Sequence, residues 1–314
     1  VIVARSAADL RPLGSALTVT VGVFDGVHRG HAAMLHALQR EAELTGAASV
    51  VVVLHPHPLE VLRPEAAPAA LTTADERVEL LGRHEPDAVL LFAFDRATAD
   101  LAPEVFLARL VPDGSHLAGL VVGHDFRMGK GRAAGYEELA ELGRRSGFSV
   151  VRVEPTGGDE PVSSTRIRRL VGEGRVAEAA ELLGHRYLVR GRVVPGRGVG
   201  RTLDFPTANV DVGDERKLLP GLGVYAVLVR IHGEDRPARP GVMNRGTRPT
   251  FGGTEPGTEV HLPGFEGDLV GRTVTVELVD RIREERRFSG PKALAARIRE
   301  DVEEARKILA RRQI

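Results

Sequence analysis

Between Ser49 and Leu54 the chain reads Ser-Val-Val-Val-Val-Leu, a run of β-branched apolar residues with no polar alternation. Successive side chains of a strand point to opposite faces, so such a run suits only a sheet covered on both sides. Val19–Val23, Ala88–Phe92, Leu117–Val122 and Phe148–Val153 share this texture. They alternate with helical patterns at Leu35–Leu44, at Thr73–Leu81 behind a Thr-x-x-Glu capping box, at Pro103–Leu110 and at Tyr136–Arg145. Strands of this kind alternating with amphipathic helices predict an α/β, doubly wound, mostly parallel sheet. Helical segments at Ser164–Val171 and Arg175–Leu183 close this half. Ligands of such sheets lie beyond the carboxyl ends of the strands.

Three stretches at those ends carry chemistry. Val19-Thr-Val-Gly-Val-Phe-Asp-Gly-Val-His-Arg-Gly-His31 is a strand, a tight turn and the start of a helix. Its unpaired backbone N–H groups and the positive end of the helix dipole suit an anion. His28 and His31 add side-chain donors for phosphate oxygens, and Gly26 and Gly30 let the backbone approach a ligand. His55-Pro-His57-Pro58 and the Gly- and Arg-rich loop Gly123-His-Asp125-Phe126-Arg-Met-Gly-Lys-Gly-Arg132 follow two further strands. Val162-Ser-Ser164-Thr165-Arg166-Ile-Arg168 places hydroxyls and an arginine at a helix start, where they cap the helix or form a second anion clamp.

Near residue 186 the pattern changes to short alternating strands separated by Gly and Pro: Tyr187–Val194, Val224–Ile231, Thr258–Leu262 and Thr273–Val279. They predict a small antiparallel barrel or sandwich. Leu294, Ile298, Val302, Ala305 and Leu309 then give a terminal helix, Pro291–Arg311, read as packed on that barrel. The domain boundary is set at 185/186, giving domains 1–185 and 186–314. The 43 basic and 43 acidic residues balance, which argues against wholesale nucleic-acid binding. There is no cysteine, so thiolate chemistry and disulfides are excluded. No apolar run has the length of a membrane span, and a cytoplasmic setting without membrane partners is the expectation.

In this half Gly196-Arg-Gly198-Val-Gly-Arg201, a loop suited to a triphosphate, precedes Asp204-Phe-Pro-Thr207-Ala-Asn209. Thr207 and Asn209 alternate along an extended segment, so both neutral oxygens lie on one face, which suits either a metal already partly satisfied by phosphate oxygens or edge-strand hydrogen bonding. Glu259 stands in Thr258-Glu-Val-His-Leu262, among apolar and β-branched residues.

In this order, Phe24–His31, Gly123–Arg132, Ser163–Arg168, Pro206–Asn209 and Gly241–Phe251 resemble the bacterial bifunctional riboflavin kinase/FMN adenylyltransferase (FAD synthetase) family over nearly the whole chain. The resemblance implies a Rossmann-like nucleotidyltransferase domain followed by a riboflavin kinase-like barrel with its terminal helix. It implies ATP as co-substrate, Mg²⁺, and riboflavin, FMN and FAD as substrates or products; the sequence leaves open whether the chain forms an oligomer. His28, His31 and Arg166 would be catalytic in the first half, with Phe24, Gly26, Gly30, Ser164 and Thr165 on the nucleotide. His57, Pro58, Asp125 and Phe126 would lie towards the flavin. In the second half Glu259 would be the general base, Gly198 and Arg201 would bind nucleotide, Thr207 and Asn209 metal, and Arg283 and Glu285 would close the flavin site.

The chain departs from the family pattern at Asp204, at Pro263-Gly264-Phe265, at Val270 and at Arg245. All four fall in the kinase half. Two alternatives therefore stay open on the residues alone: an adenylyltransferase with a diverged kinase half acting on another flavin or on none, and a flavin-binding sensor without turnover.

Overall fold

The computed structural model describes residues 1–158, 160–196, 205–247, 256–286 and 288–312. The chain divides into two compact units, Val1–Ser164 and Thr165–Ile314. Within the first, strands β1 (Ile2–Ala4), β2 (Ala16–Gly22), β3 (Ala48–His55), β4 (Ala88–Ala93), β5 (His116–Gly123) and β6 (Ser149–Val153) form a parallel sheet in the order β1-β4-β3-β2-β5-β6. Helices α1 (Arg29–Thr45), α2 (Pro58–Leu62), α3 (Ala74–Gly82), α4 (Arg96–Ala99), α5 (Pro103–Ala108) and α6 (Tyr136–Ser146) connect them. Val50, Val51, Val52 and Val53 are all fully buried. Both faces of β3 are covered, as an unbroken valine run demands, and each side chain contributes roughly 1.5–3 kcal/mol by leaving water.

Because β3, β2 and β5 are adjacent and parallel, the loops after them share one edge of the sheet. The strand order alone thus gathers Phe24–His31, His55–Pro58 and Gly123–Phe126. Strand β1 has no counterpart in the sequence reading: three residues with Val3 exposed carry too little pattern to register. Helix α1 also starts earlier than its apolar periodicity suggests, at Arg29, because a histidine side chain caps it.

Helix α7 (Ser164–Gly172) spans the division between the units, and α8 (Val176–Leu183) follows within the second. Strands β7 (Tyr187–Val194), β8 (Thr207–Asp211), β9 (Gly223–Ile231), β10 (Arg239–Thr247), β11 (Pro256–His261) and β12 (Thr273–Arg283) close an antiparallel barrel, β10-β11-β8-β7-β12-β9. Strand β10, Arg-Pro-Gly-Val-Met-Asn-Arg-Gly-Thr, lacks a strand pattern of its own. It forms because β9 and β11 pair with it on both sides. The terminal helix α9 (Pro291–Arg311) lays Val302 and Ala305 on Val224, Ala226 and Val242, and Leu309 on Leu228 and Val279. Helix and barrel face so close a second core.

Candidate active sites

The first site is built on the turn between β2 and α1. Phe24, Gly26 and Val27 have φ of +52°, +84° and +43°. Left-handed backbone costs a non-glycine residue of order 1 kcal/mol or more, most for a β-branched one such as Val27, so the turn needs outside support. Phe24 and Val27 are each 1% exposed, buried beneath it. The Asp25 carboxylate, also buried, accepts from the Leu71 N–H (2.9 Å), the Thr72 N–H and hydroxyl (3.0 Å each) and Arg77 Nη2 (3.1 Å). The Thr72 hydroxyl in turn accepts from the Gly26 N–H at 3.2 Å. Ser164, the first residue of α7, donates its hydroxyl to the Asp25 carbonyl at 3.0 Å. Thr165 and Arg166 are the next two residues of that helix.

His28 caps α1, and it does so reciprocally with His31. The His28 Nδ1 accepts the His31 N–H and the His31 Nδ1 accepts the His28 N–H, each at 3.3 Å. The rings stack 3.7 Å apart. Since both Nδ1 atoms are acceptors, each neutral ring carries its proton on Nε2, where it can donate to a phosphate oxygen. The Phe24 ring supports His31 at 5.2 Å. Desolvation in this packing holds the His31 imidazolium well below its ordinary pKa of 6.5, and the positive potentials of His28 and Arg77 add to it. His31 is therefore neutral near pH 7, which its cap on the His28 N–H also requires. Gly30 leaves the His28 ring its room: a Cβ there would lie 3.1 Å from Cε1.

Along the same sheet edge His57 caps α2 by accepting the Leu59 N–H at 3.0 Å, with Pro58 as the first helical residue. Asp125 is exposed, 3.9 Å from the His124 ring, and Phe126 packs against the rim of the sheet core.

The second site lies on the barrel. Glu259 pairs with Asn209 of β8 and with Asn244 of β10, and His261 pairs with Thr207. Directly paired residues point to the same face, as do alternate residues of one strand. Thr207, Asn209, Asn244, Glu259 and His261 are therefore displayed together. The Thr207 hydroxyl donates to Glu259 Oε2 at 3.4 Å. Two cavities meet at Thr207. One, about 310 Å³, is lined by Thr207, Asn209, Gly196, Leu262, Phe265 and Asp268–Val270. The other, about 240 Å³, is lined by Thr207, Asn244, Glu259, Arg283, Glu285, Phe288 and the helix residues Leu294, Ile298 and Asp301. A Cβ at Gly196 would overlap the Asn209 amide, so that position closes on the asparagine only as glycine.

Arg283 lines the second cavity, but its guanidinium is bound to Asp301 of α9, Nε to Oδ1 at 2.9 Å and Nη2 to Oδ2 at 2.7 Å. Glu285 lies against Gly246, where a Cβ would come within 2.7 Å of its carboxylate. Gly198, Arg201 and Asp204, together with the 248–251 end of the Gly241–Phe251 motif, lie outside the described residues. Among the departures from the family pattern, Gly264 (φ +73°) turns the chain after β11. Phe265 and Val270 line the first cavity, away from Glu259.

Thr72, Arg77 and Asp301 escaped the sequence reading. The latter two had left a trace: Arg77 precedes the buried Leu80 and Leu81 by three and four residues, and Asp301 follows Ile298 by three. A charge in register with the apolar face of a helix needs a buried partner.

A nucleotide-suited turn on a parallel sheet, joined in one chain to a barrel with a carboxylate beside a threonine that two cavities share, defines a two-part transferase of phosphorus-containing groups. Comparison with known proteins shows its family. A family model described as FAD synthetase matches residues 12–166, and one described as riboflavin kinase matches residues 183–309. The bifunctional riboflavin kinase/FMN adenylyltransferase of Escherichia coli (strain K12) is 40% identical over 90% of each chain. The protein of that name from Pseudomonas fluorescens is 38% identical over 98% of this chain and 97% of its own. A crystal structure described as a macrolide-efflux protein from Streptococcus pneumoniae superposes with a TM-score of 0.83 at 30% identity, over 97% of this chain and 98% of that one. Efflux is the description of that protein; among the described residues here no helix is long and apolar enough to cross a membrane. The chain belongs to the bifunctional riboflavin kinase/FMN adenylyltransferase family, enzymes that use ATP and flavins.

Proposed function

We propose that residues 186–314 phosphorylate riboflavin to FMN and that residues 1–185 adenylylate FMN to FAD, in the cytoplasm. The observation that carries the first step is the position of Thr207, shared by both cavities, with Glu259 opening only into the second. ATP in the first cavity and the ribityl chain in the second would bring the γ-phosphorus and the terminal hydroxyl together at Thr207. That hydroxyl is a poor nucleophile while protonated. Glu259 takes its proton, the oxygen bonds to the γ-phosphorus, and the bond to the β-phosphate oxygen breaks to release ADP. Neutral oxygens on Thr207 and Asn209 fit Mg²⁺ that arrives already bound to ATP phosphates. When bound, Mg²⁺ offsets charge on the phosphates. The departures on the wall of the first cavity leave this face intact, which favours an active kinase over a diverged one.

Adenylyl transfer has different needs. The attacking group is the FMN phosphate, already anionic at neutral pH, so alignment and charge stabilisation matter more than a base. A phosphate oxygen bonds to the ATP α-phosphorus, and pyrophosphate leaves. His28 and His31 donate Nε2–H groups to the phosphates, beside the positive end of α1. Gly26, Gly30 and Ser164 shape the cradle, and Thr165 and Arg166 bind the triphosphate. His57, Pro58, Asp125 and Phe126 border the flavin. Incubation with ATP and Mg²⁺, from riboflavin in one tube and FMN in another, tests the reading by chromatography of the products. FAD from both tubes is expected. FAD from the FMN tube alone would assign the barrel a lost or altered activity.

A further inference from the structure

We propose that Arg77 of α3 is a positioning residue for adenylyl transfer, holding the left-handed turn that carries His28 and His31 through its ion pair with Asp25. The inference rests on the assignment of that transfer to the histidine turn. Arg77 is 5% exposed, so it does not reach a ligand in the crevice; whatever it does passes through its neighbours.

Those neighbours are the turn and the loop that braces it. Arg77 Nη2 donates to Asp25 Oδ1 at 3.1 Å and to the Thr72 carbonyl at 2.9 Å, while Nε donates to the Thr72 hydroxyl at 3.1 Å. The same hydroxyl donates to Asp25 Oδ1 and accepts the Gly26 N–H. One guanidinium fork therefore fixes both the side chain at the second residue of the turn and the brace on its glycine. A rigid fork does this; a single ammonium has no equivalent set of donors.

Arg77 is itself rigidly placed. Thr73 and Glu76 cap α3 reciprocally one turn earlier, and Glu76 is fully buried. Burial lowers the Arg77 pKa, and Asp25, then Glu60 and Glu76, oppose that and keep the charge in place. The turn it holds is the unfavourable one, with Phe24 and Val27 left-handed on either side of Asp25 and Gly26. Without the fork, Asp25 keeps its backbone donors but loses its ion pair with Arg77. The turn can then relax, and the histidines at the start of α1 move with it. Alignment would suffer before affinity, since the backbone N–H groups of α1 remain to hold phosphate.

The test uses the full chain and exploits its two activities. Arg77→Met, Arg77→Lys and His31→Ala are each assayed for FMN adenylylation and for riboflavin phosphorylation. For Arg77→Met the expected result is an adenylylation kcat lower by about tenfold to a hundredfold, the upper end being what a misplacement of about 1 Å produces. KM for ATP and FMN should stay within about threefold, with riboflavin phosphorylation unchanged. Arg77→Lys should recover part of the loss. The acid limb of the adenylylation pH profile should move up towards 6.5 in Arg77→Met, because the positive potential of Arg77, one of the causes that lower His31, is then gone. An Arg77→Met enzyme with normal adenylylation kcat would overturn the inference. If Arg77→Met does not fold, Arg77→Lys decides: an unchanged kcat overturns it, and a lowered kcat at unchanged melting temperature supports it. His31→Ala separates the two levels. Full adenylylation by that variant refutes the site assignment, whereas an inactive His31→Ala beside a fully active Arg77→Met refutes only the role of Arg77.

Discussion

Gly30→Ala sets stability against alignment at a single atom. Gly30 is the second residue of α1, and its φ is not among the left-handed ones, so alanine is compatible with the backbone. Replacing glycine by alanine in a helix is worth up to about 1 kcal/mol. The added Cβ, however, would sit 3.1 Å from His28 Cε1 and 3.2 Å from Nδ1, with the Thr156 hydroxyl at 3.5 Å on another side. The His28 ring must therefore yield by roughly a few tenths of an ångström, which strains its 3.3 Å cap to the His31 N–H and its stack on the His31 ring. Weakening a cap costs about 0.5–2 kcal/mol, so the two effects nearly cancel in stability. At this chain size the melting temperature should stay within about 3 °C of the parent. They do not cancel in catalysis. A 1 Å misplacement costs about a hundredfold, so a smaller shift predicts roughly a tenfold loss in FMN adenylylation kcat, about 1.4 kcal/mol of barrier. Riboflavin phosphorylation by the same preparation is the internal control and should not change. A variant that melts several degrees higher and adenylylates FMN at the parent rate would refute the claim that His28 must hold this position.

Glu259→Gln should lower riboflavin phosphorylation by about a hundredfold or more while FAD formation from supplied FMN persists, read by product chromatography. Gly196→Ala should damage the same activity, because its Cβ displaces Asn209, with adenylylation again as the control. The histidine pair predicts a pH dependence with a definite sign. His31 is held below its ordinary 6.5 in the folded chain, first by desolvation and then by His28 and Arg77. Between the folded value and 6.5 the unfolded chain binds more protons, so the stability contribution is complete above about pH 6.5 and falls as pH drops below it. Thermal melts from pH 5 to 7.5 should show that slope, and His31→Gln should flatten it.

The parallel sheet was legible because burial on both faces leaves a compositional mark, and Val50–Val53 carry it without ambiguity. Capping chemistry was equally local: Thr73 and Glu76 stand three residues apart and do what that spacing implies. The histidine turn could be read as a strand end, a tight turn and a helix start, yet its reciprocal caps, and with them the proton on each Nε2, emerge only from coordinates. Strand β10 was invisible because its pairing energy resides in its two neighbours.

By itself, then, the sequence determined an α/β half and a barrel half, a terminal helix, and the local caps and turns within them. Each of these depends on residues close together along the chain, through periodicity, caps and turn chemistry. Tertiary structure alone decided which distant residues share a site. Asp25 meets Arg77 across 52 positions, and Thr207 meets Glu259 across the same separation. Arg283 is held by Asp301 of the terminal helix. Contacts of that range depend on strand order and register, which are set when whole elements bury their faces together, and no local pattern encodes them.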